Sequence, residues 1–170
     1  MALVRMDIET VVVGGGQLSS LVVLRSRPQQ DDTEVQKLPI RIGTVEASSL
    51  GMVVNNHPIA RPMTHDLFVN SLKSLGVQLE YVTITHVEGI IFYAELNMVG
   101  SNGTPVTIDS RPSDALALAL RVGAPIFADE RVLDTASYPD YEAVRKTQQH
   151  KEFEEFHDFV EGLSPEDFRS

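Results

Sequence analysis

Between Asp109 and Leu133 the chain reads DSRPSDALALALRVGAPIFADERVL, and no other run restricts the fold as much. The alternation Ala115-Leu116-Ala117-Leu118-Ala119-Leu120 has the period of a strand. Its residue types argue otherwise, because Ala and Leu are strong helix formers and Ala is depleted in strands. Both ends of a helix are also marked. Pro112 suits the first turn, where its missing N–H costs nothing, and Gly123 with Pro125 stops the helix. The run is expected to be a buried helix with an alanine face for close packing, followed by a short interior strand, Pro125 to Ala128. Ser110 or Ser113 is placed to accept from the free amides of the first turn, and Asp114 to complement the helix dipole. A polar cluster of Asp109, Ser110, Arg111, Ser113 and Asp114 is thus held at the rim of a rigid element, where a site keeps its shape.

Upstream, Leu3 to Val13 and Leu18 to Arg25 read as strands around the turn Gly14-Gly15-Gly16-Gln17. Val11, Val12 and Val13 are continuously apolar and expected to be buried. The triple glycine lacks the spacing of a phosphate-binding loop and has no helix after it, so it reads as a hairpin turn. Arg27 to Gln36 is a polar loop. Leu38 to Ile42 is a strand whose Pro39 favours an edge or a strand start. Val45 to Val54 reads as a helix weakened by Gly51. Another helix begins at Thr64, its expected N-cap, with Asp66 in the first turn and Leu67, Phe68, Leu72 and Leu75 as its apolar stripe. Val77 to Val87 and Ile90 to Val99 form a hairpin, and Pro105 to Ile108 leads into the opening run. Three strands and a helix therefore occur twice, around 3–54 and 77–122, which suggests two related halves. The expected class is α+β: a mixed or antiparallel sheet packed with helices, plus a C-terminal amphipathic helix.

The division falls near Thr135, giving a domain over 1–135 and an appendage over 136–170. Asp134 to Tyr141 reads as a linker. Glu142 to Gly162 reads as a charged helix with Phe153, Phe156 and Phe159 on one side, expected to dock on its own domain or on a second subunit. The net charge of −10 belongs mostly to this end: residues 129–170 carry twelve acidic and five basic side chains. A passive nucleic-acid binder would show a basic footprint, and neither part does. An enzyme that meets phosphate through metal-bound carboxylates escapes that objection. No apolar run approaches the roughly 20 residues needed to cross a bilayer, and the N-terminus has no signal-peptide layout. With no cysteine, a cytoplasmic protein without disulfides is expected, with no membrane partner.

Four stretches, LPIRIGTVEA, RPMTHDLFVNSL, FYAEL and above all IDSRPSDALALALRVGAPIF, carry a resemblance to the bifunctional nuclease family, also called the DNase–RNase domain. It covers roughly residues 3–135. The resemblance implies an α+β domain that self-associates as a dimer or trimer and acts on DNA and RNA. It supplies no assigned catalytic residues. Arg41 stands where family members often carry an aromatic residue, and Val45 where several carry a small residue or Cys; both adjoin Glu46.

Phosphodiester hydrolysis needs an activated water, in-line geometry and stabilised charge on the phosphoryl oxygens. Carboxylates holding Mg²⁺ or Mn²⁺ supply all three. On this reading Glu46, Asp109 and Asp114 are the metal candidates, and His65, Asp66 and Arg111 the catalytic ones. Each has a structural alternative. Asp66, Asp114 and Glu46 suit helix first turns, Asp109 an Asx turn, and His65 a surface hydrogen bond. Arg111 either meets phosphate or locks two helix starts together by pairing with Asp66 or Asp109. A non-enzymatic binding or regulatory module, or an oligomeric scaffold, stays open beside the nuclease.

Overall fold

The computed structural model describes residues 2–15, 19–27, 35–58 and 60–139. The apolar alternation folds into two antiparallel three-stranded meanders. The first comprises β1 (Leu3–Val12), β2 (Ser20–Ser26) and β3 (Gln36–Ile42), followed by helices α1 (Thr44–Val54) and α2 (Thr64–Ser74). The second comprises β4 (Gln78–Glu88), β5 (Ile91–Val99) and β6 (Pro105–Ser110), followed by α3 (Pro112–Val122). β7 (Ile126–Asp129) joins them, parallel to β4 and antiparallel to β1. α4 (Glu130–Ala136) and β8 (Tyr138–Pro139) follow. The strand order β6-β5-β4-β7-β1-β2-β3-β8 bears out the mixed-sheet α+β class and the repeated strand-strand-strand-helix order.

With a period of two, one face of the sheet becomes the core side. Met6, Leu24, Leu38, Ile40, Ile84 and Leu96 all point there and are buried. α3 packs on β4 and β5 and also touches α1 and α2, with Ala115 through Ala119 all buried. Its small Ala side chains allow those close approaches, and its Leu residues fill the core. A Leu in this position contributes about 1.5–3 kcal/mol by burial. Pro112 lies at the helix start, and Gly123 adopts φ 71°, the left-handed cap that a side chain would disfavour.

Several expectations change. β1 is bulged between Ile8 and Thr10, and β7 pairs only with its first four residues, so Val12 and Val13 run out exposed rather than buried. α2 turns Val69 into the core, leaving Leu67, Phe68 and Leu75 of the expected stripe exposed. Its N-cap is Met63, and Thr64 is its first helical residue. The segment read as a linker from Asp134 contributes the end of α4 and then β8, which pairs with β3. α4 itself was not legible as a helix. It is capped by Asp129, 1% exposed, whose carboxylate accepts from the Arg131 backbone N–H and from its guanidinium. These bonds from Arg131 outweigh the cost of burial and hold the Asp129 carboxyl at about 2. The expected helix over 142–162 lies outside the described residues.

Candidate functional site

The helix starts carry the same device three times. α1, α2 and α3 have Gly43, Met63 and Arg111 at their N-caps, and each places an acid three residues later: Glu46, Asp66 and Asp114. An acid there complements the exposed amides of the first turn. Because α3 packs against both α1 and α2, the three acids and their partners form one connected network.

Arg111 is its outermost member, with a side chain 65% exposed. Its Nε donates to Asp114 Oδ2 at 2.7 Å, Nη2 to Asp114 Oδ1 at 3.1 Å and Nη1 to Glu46 Oε1 at 3.0 Å. Glu46 reaches it by lying over Gly43, where a methyl group would overlap the carboxylate. Glycine leaves room for that carboxylate, and its φ is an ordinary −68°. Arg111 is thus a lock between helix starts, but its partners are Glu46 and Asp114 rather than Asp66 or Asp109.

Behind Arg111, His65 Nε2 lies 3.0 Å from Asp114 Oδ1, and Nδ1 lies 3.3 Å from Ser49 Oγ. Ser49 also accepts from Arg121 Nη2 at 3.3 Å. The Asp114 carboxylate can only accept, which puts the proton of neutral His65 on Nε2, and the Ser49 hydroxyl then donates to Nδ1. Arg121, whose side chain is 5% exposed, also donates to Asp66 Oδ1 at 2.6 Å and to the Ala117 carbonyl at 3.0 Å. Asp66 completes its bonding by accepting the Met63 N–H at 2.8 Å.

The electrostatics follow from these bonds. Burial works to raise the Asp114 carboxyl, yet the bonds from Arg111 and His65 prevail and hold it below its ordinary range. Asp66 behaves likewise: burial opposes, but the Met63 amide and Arg121 bring it down. The Asp114 carboxylate in turn raises Arg111. The site at neutral pH is therefore a chain of fixed charges with one imidazole in it.

Of the residues singled out from sequence, Glu46, His65, Asp66, Arg111 and Asp114 are brought together. Asp109 is not. It lies on exposed β6 opposite Glu95, in a strand rather than an Asx turn, and makes no side-chain hydrogen bond among the described residues. Nor do Glu46, Asp109 and Asp114 form a cluster for a cation. Among the described residues no three His, Asp or Glu side chains converge on a metal position. The donor chemistry explains why: Arg111 already occupies both oxygens of Asp114 and one of Glu46. That set does not fit Mg²⁺ or Mn²⁺. Ser49 and Arg121 were not identified from sequence. The available signal was spacing, since Arg121 stands two helical turns from Asp114 and Ser49 one turn from Glu46, on the same helix faces.

Comparison with known proteins adds the family. The bifunctional nuclease domain model matches residues 22–140. An uncharacterized protein of Mycobacterium tuberculosis is 36% identical over 137 residues, covering 78% of this chain and 81% of that protein. Bifunctional nuclease 2 of Arabidopsis thaliana is 31% identical over 91 residues, covering 52% of this chain and 28% of that protein. Bifunctional nuclease 2 of Oryza sativa subsp. japonica is 30% identical over 98 residues, covering 56% and 30%. The plant proteins are thus matched over less than a third of their own length, whereas the domain model spans most of the sheet and the whole Arg111–Asp114–His65 network. The chain belongs to the bifunctional nuclease domain family.

Proposed function

We propose that the chain hydrolyses phosphodiester bonds of DNA, RNA or both at the network around Arg111. The observation that carries this reading is the bonded series Arg111–Asp114–His65, which sets an exposed cation in front of an oriented imidazole. Three of the five guanidinium N–H donors of Arg111 are used within the network, and two remain for phosphoryl oxygens. Asp114 keeps the fork in place and balances His65 when it takes a proton. General acid–base work of this kind contributes about 10²–10⁴-fold to a rate. Ser49 and Arg121 are buried positioning residues, and Asp66 serves them. The Mg²⁺ or Mn²⁺ expected from sequence is not carried into this reading, because it would have to draw Glu46 and Asp114 away from Arg111. We also propose a cytoplasmic protein that self-associates; light scattering of the full chain checks the latter, and a monomer mass would contradict it. Among the described residues no helix is long and apolar enough to cross a membrane.

The second reading, a non-enzymatic binding module, is favoured by one observation: the network satisfies itself, with both ring nitrogens of His65 bonded. The two separate on His65→Gln. Initial cleavage rates on DNA and RNA fall by about 100-fold or more in a nuclease using His65. Nucleic acid bound by the unaltered chain without cleavage supports the module.

A further inference from the structure

Arg111 has a second neighbourhood, on the side away from His65. The end of β3, the β4–β5 turn and the start of α3 enclose a cavity of about 270 Å³, lined by Arg41, Arg111, Ser113, Ile90, Ile91 and Phe92 among others. Its chemistry is divided. Arg41 and Arg111 both line it and bring two positive charges to its rim. Arg41 spends one N–H on Ser19 Oγ at 2.5 Å, and among the described residues its other donors make no further hydrogen bond, leaving them for a ligand. The other wall is apolar, and its composition is unexpected for a hairpin tip. Gly89, at φ 59°, meets the backbone demand of the two-residue turn. Nothing in the turn calls for isoleucine beside it, yet Ile90 and Ile91 are 78% and 58% exposed. Ser113, 5% exposed, also lines the cavity.

We infer that this cavity holds one unpaired nucleotide of a nucleic-acid strand, its phosphate on Arg41 and Arg111 and its base against Ile90, Ile91 and Phe92. The inference rests on the reading of the neighbouring network as a nucleic-acid site, and it names the substrate class: single strands or unpaired ends. Two guanidiniums suit a phosphate, which takes charge-assisted bonds from both. An apolar wall suits the face of a base, and the Ser113 hydroxyl suits a base edge or a sugar hydroxyl. Size sets the limit. Half open to solvent and about 270 Å³ in volume, the cavity lies at the lower end of small-molecule sites, room for one nucleotide, and its apolar wall favours a base whose face is free over one that is paired and stacked. The strand then runs out over Arg111 toward His65, the order that cleavage next to the held nucleotide requires.

Calorimetric titration of the full chain with adenosine 5′-monophosphate, with inorganic phosphate and with adenosine tests this, alongside Arg41→Gln and Ile91→Ser. Arg41 and Ile91 are both exposed, so the variants are expected to fold, and melting curves check that they do. The monophosphate is expected to bind about ten-fold or more tightly than either fragment, and each variant to weaken it by about ten-fold. A single-stranded oligonucleotide is expected to bind more tightly than its duplex by a similar factor. Monophosphate binding no tighter than inorganic phosphate, or unchanged in both folded variants, overturns the inference. A chain that shows the expected binding and leaves DNA and RNA intact keeps this inference and removes the nuclease reading. A chain that cuts nucleic acid but gives the overturning result removes this inference alone.

Discussion

His65 and Asp114 are 49 residues apart in the chain, and their Nε2 and Oδ1 atoms are 3.0 Å apart in the fold. The bond ties the first turn of α2 to the first turn of α3. It also fixes which ring nitrogen of His65 faces the carboxylate that Arg111 holds from the other side. The same two residues serve stability and orientation, so stability and activity have to be measured on the same variants.

Gly43→Ala isolates the role of Glu46. The added methyl overlaps the Glu46 carboxylate, a flexible end that can swing aside. The variant should therefore melt close to the parent, within about 1 kcal/mol, while Arg111 loses its second anchor. Glu46→Gln should lower cleavage to a similar extent. Because both act through one contact, the double variant should be no worse than either alone.

Arg121→Met should act on stability. It leaves Ser49 and Asp66 short of bonds and strands the Asp66 carboxylate in a half-buried position. A loss of about 2–4 kcal/mol in urea unfolding is expected, discounted from a fully buried pair because Asp66 keeps some solvent contact. A loss under 0.5 kcal/mol would mean that the Arg121 bonds do not hold the site together.

Acid should dismantle the network. Asp66, Asp114 and Asp129 all titrate below the ordinary 3.8, Asp129 at about 2. A folded value below the unfolded one adds stability that is complete above about pH 3.8 and is lost as pH falls through the folded values. Thermal midpoints should be level from pH 7 down to about 4 and then drop as pH falls through the folded values. Asp129→Ala should cost about 1 kcal/mol of stability even at pH 7, through loss of the α4 cap.

Because the carboxylates are committed to guanidinium partners, cleavage should persist in excess EDTA. It should also fall with salt, as Arg111 is exposed and screened. Activity lost in EDTA and restored by Mn²⁺ would return Glu46 and Asp114 to the metal role first expected of them.

Much of this was legible in sequence wherever local chemistry was decisive. Pro112 and Gly123 bracket α3, Ala115 to Ala119 are buried in it, and five of the six site candidates meet in the network. What failed depended on tertiary context. Asp109 reads as a turn residue until β6 is seen to extend to Ser110 as it pairs with β5. The stripe of Leu67, Phe68 and Leu75 has helical spacing, but α3 settles which face of α2 turns inward. α4 is short, and its start depends on Asp129 bonding Arg131, a contact that no hydrophobic period announces. Arg121 looks like an ordinary helix-end cation until Asp66 and Ser49 arrive from two other helices.

The most direct test of the network as a catalytic site is a paired measurement on Asp114→Asn and Asp109→Asn: initial cleavage rates on single-stranded DNA and RNA, with melting curves on the same preparations. Asp114→Asn keeps a hydrogen-bond acceptor and removes the charge that holds Arg111 and His65. It should melt within about 1 kcal/mol of the parent and lose cleavage by about 100-fold or more. Asp109→Asn, off the network, should cut at the parent rate. Full activity in a folded Asp114→Asn, or loss of activity confined to Asp109→Asn, would contradict the account.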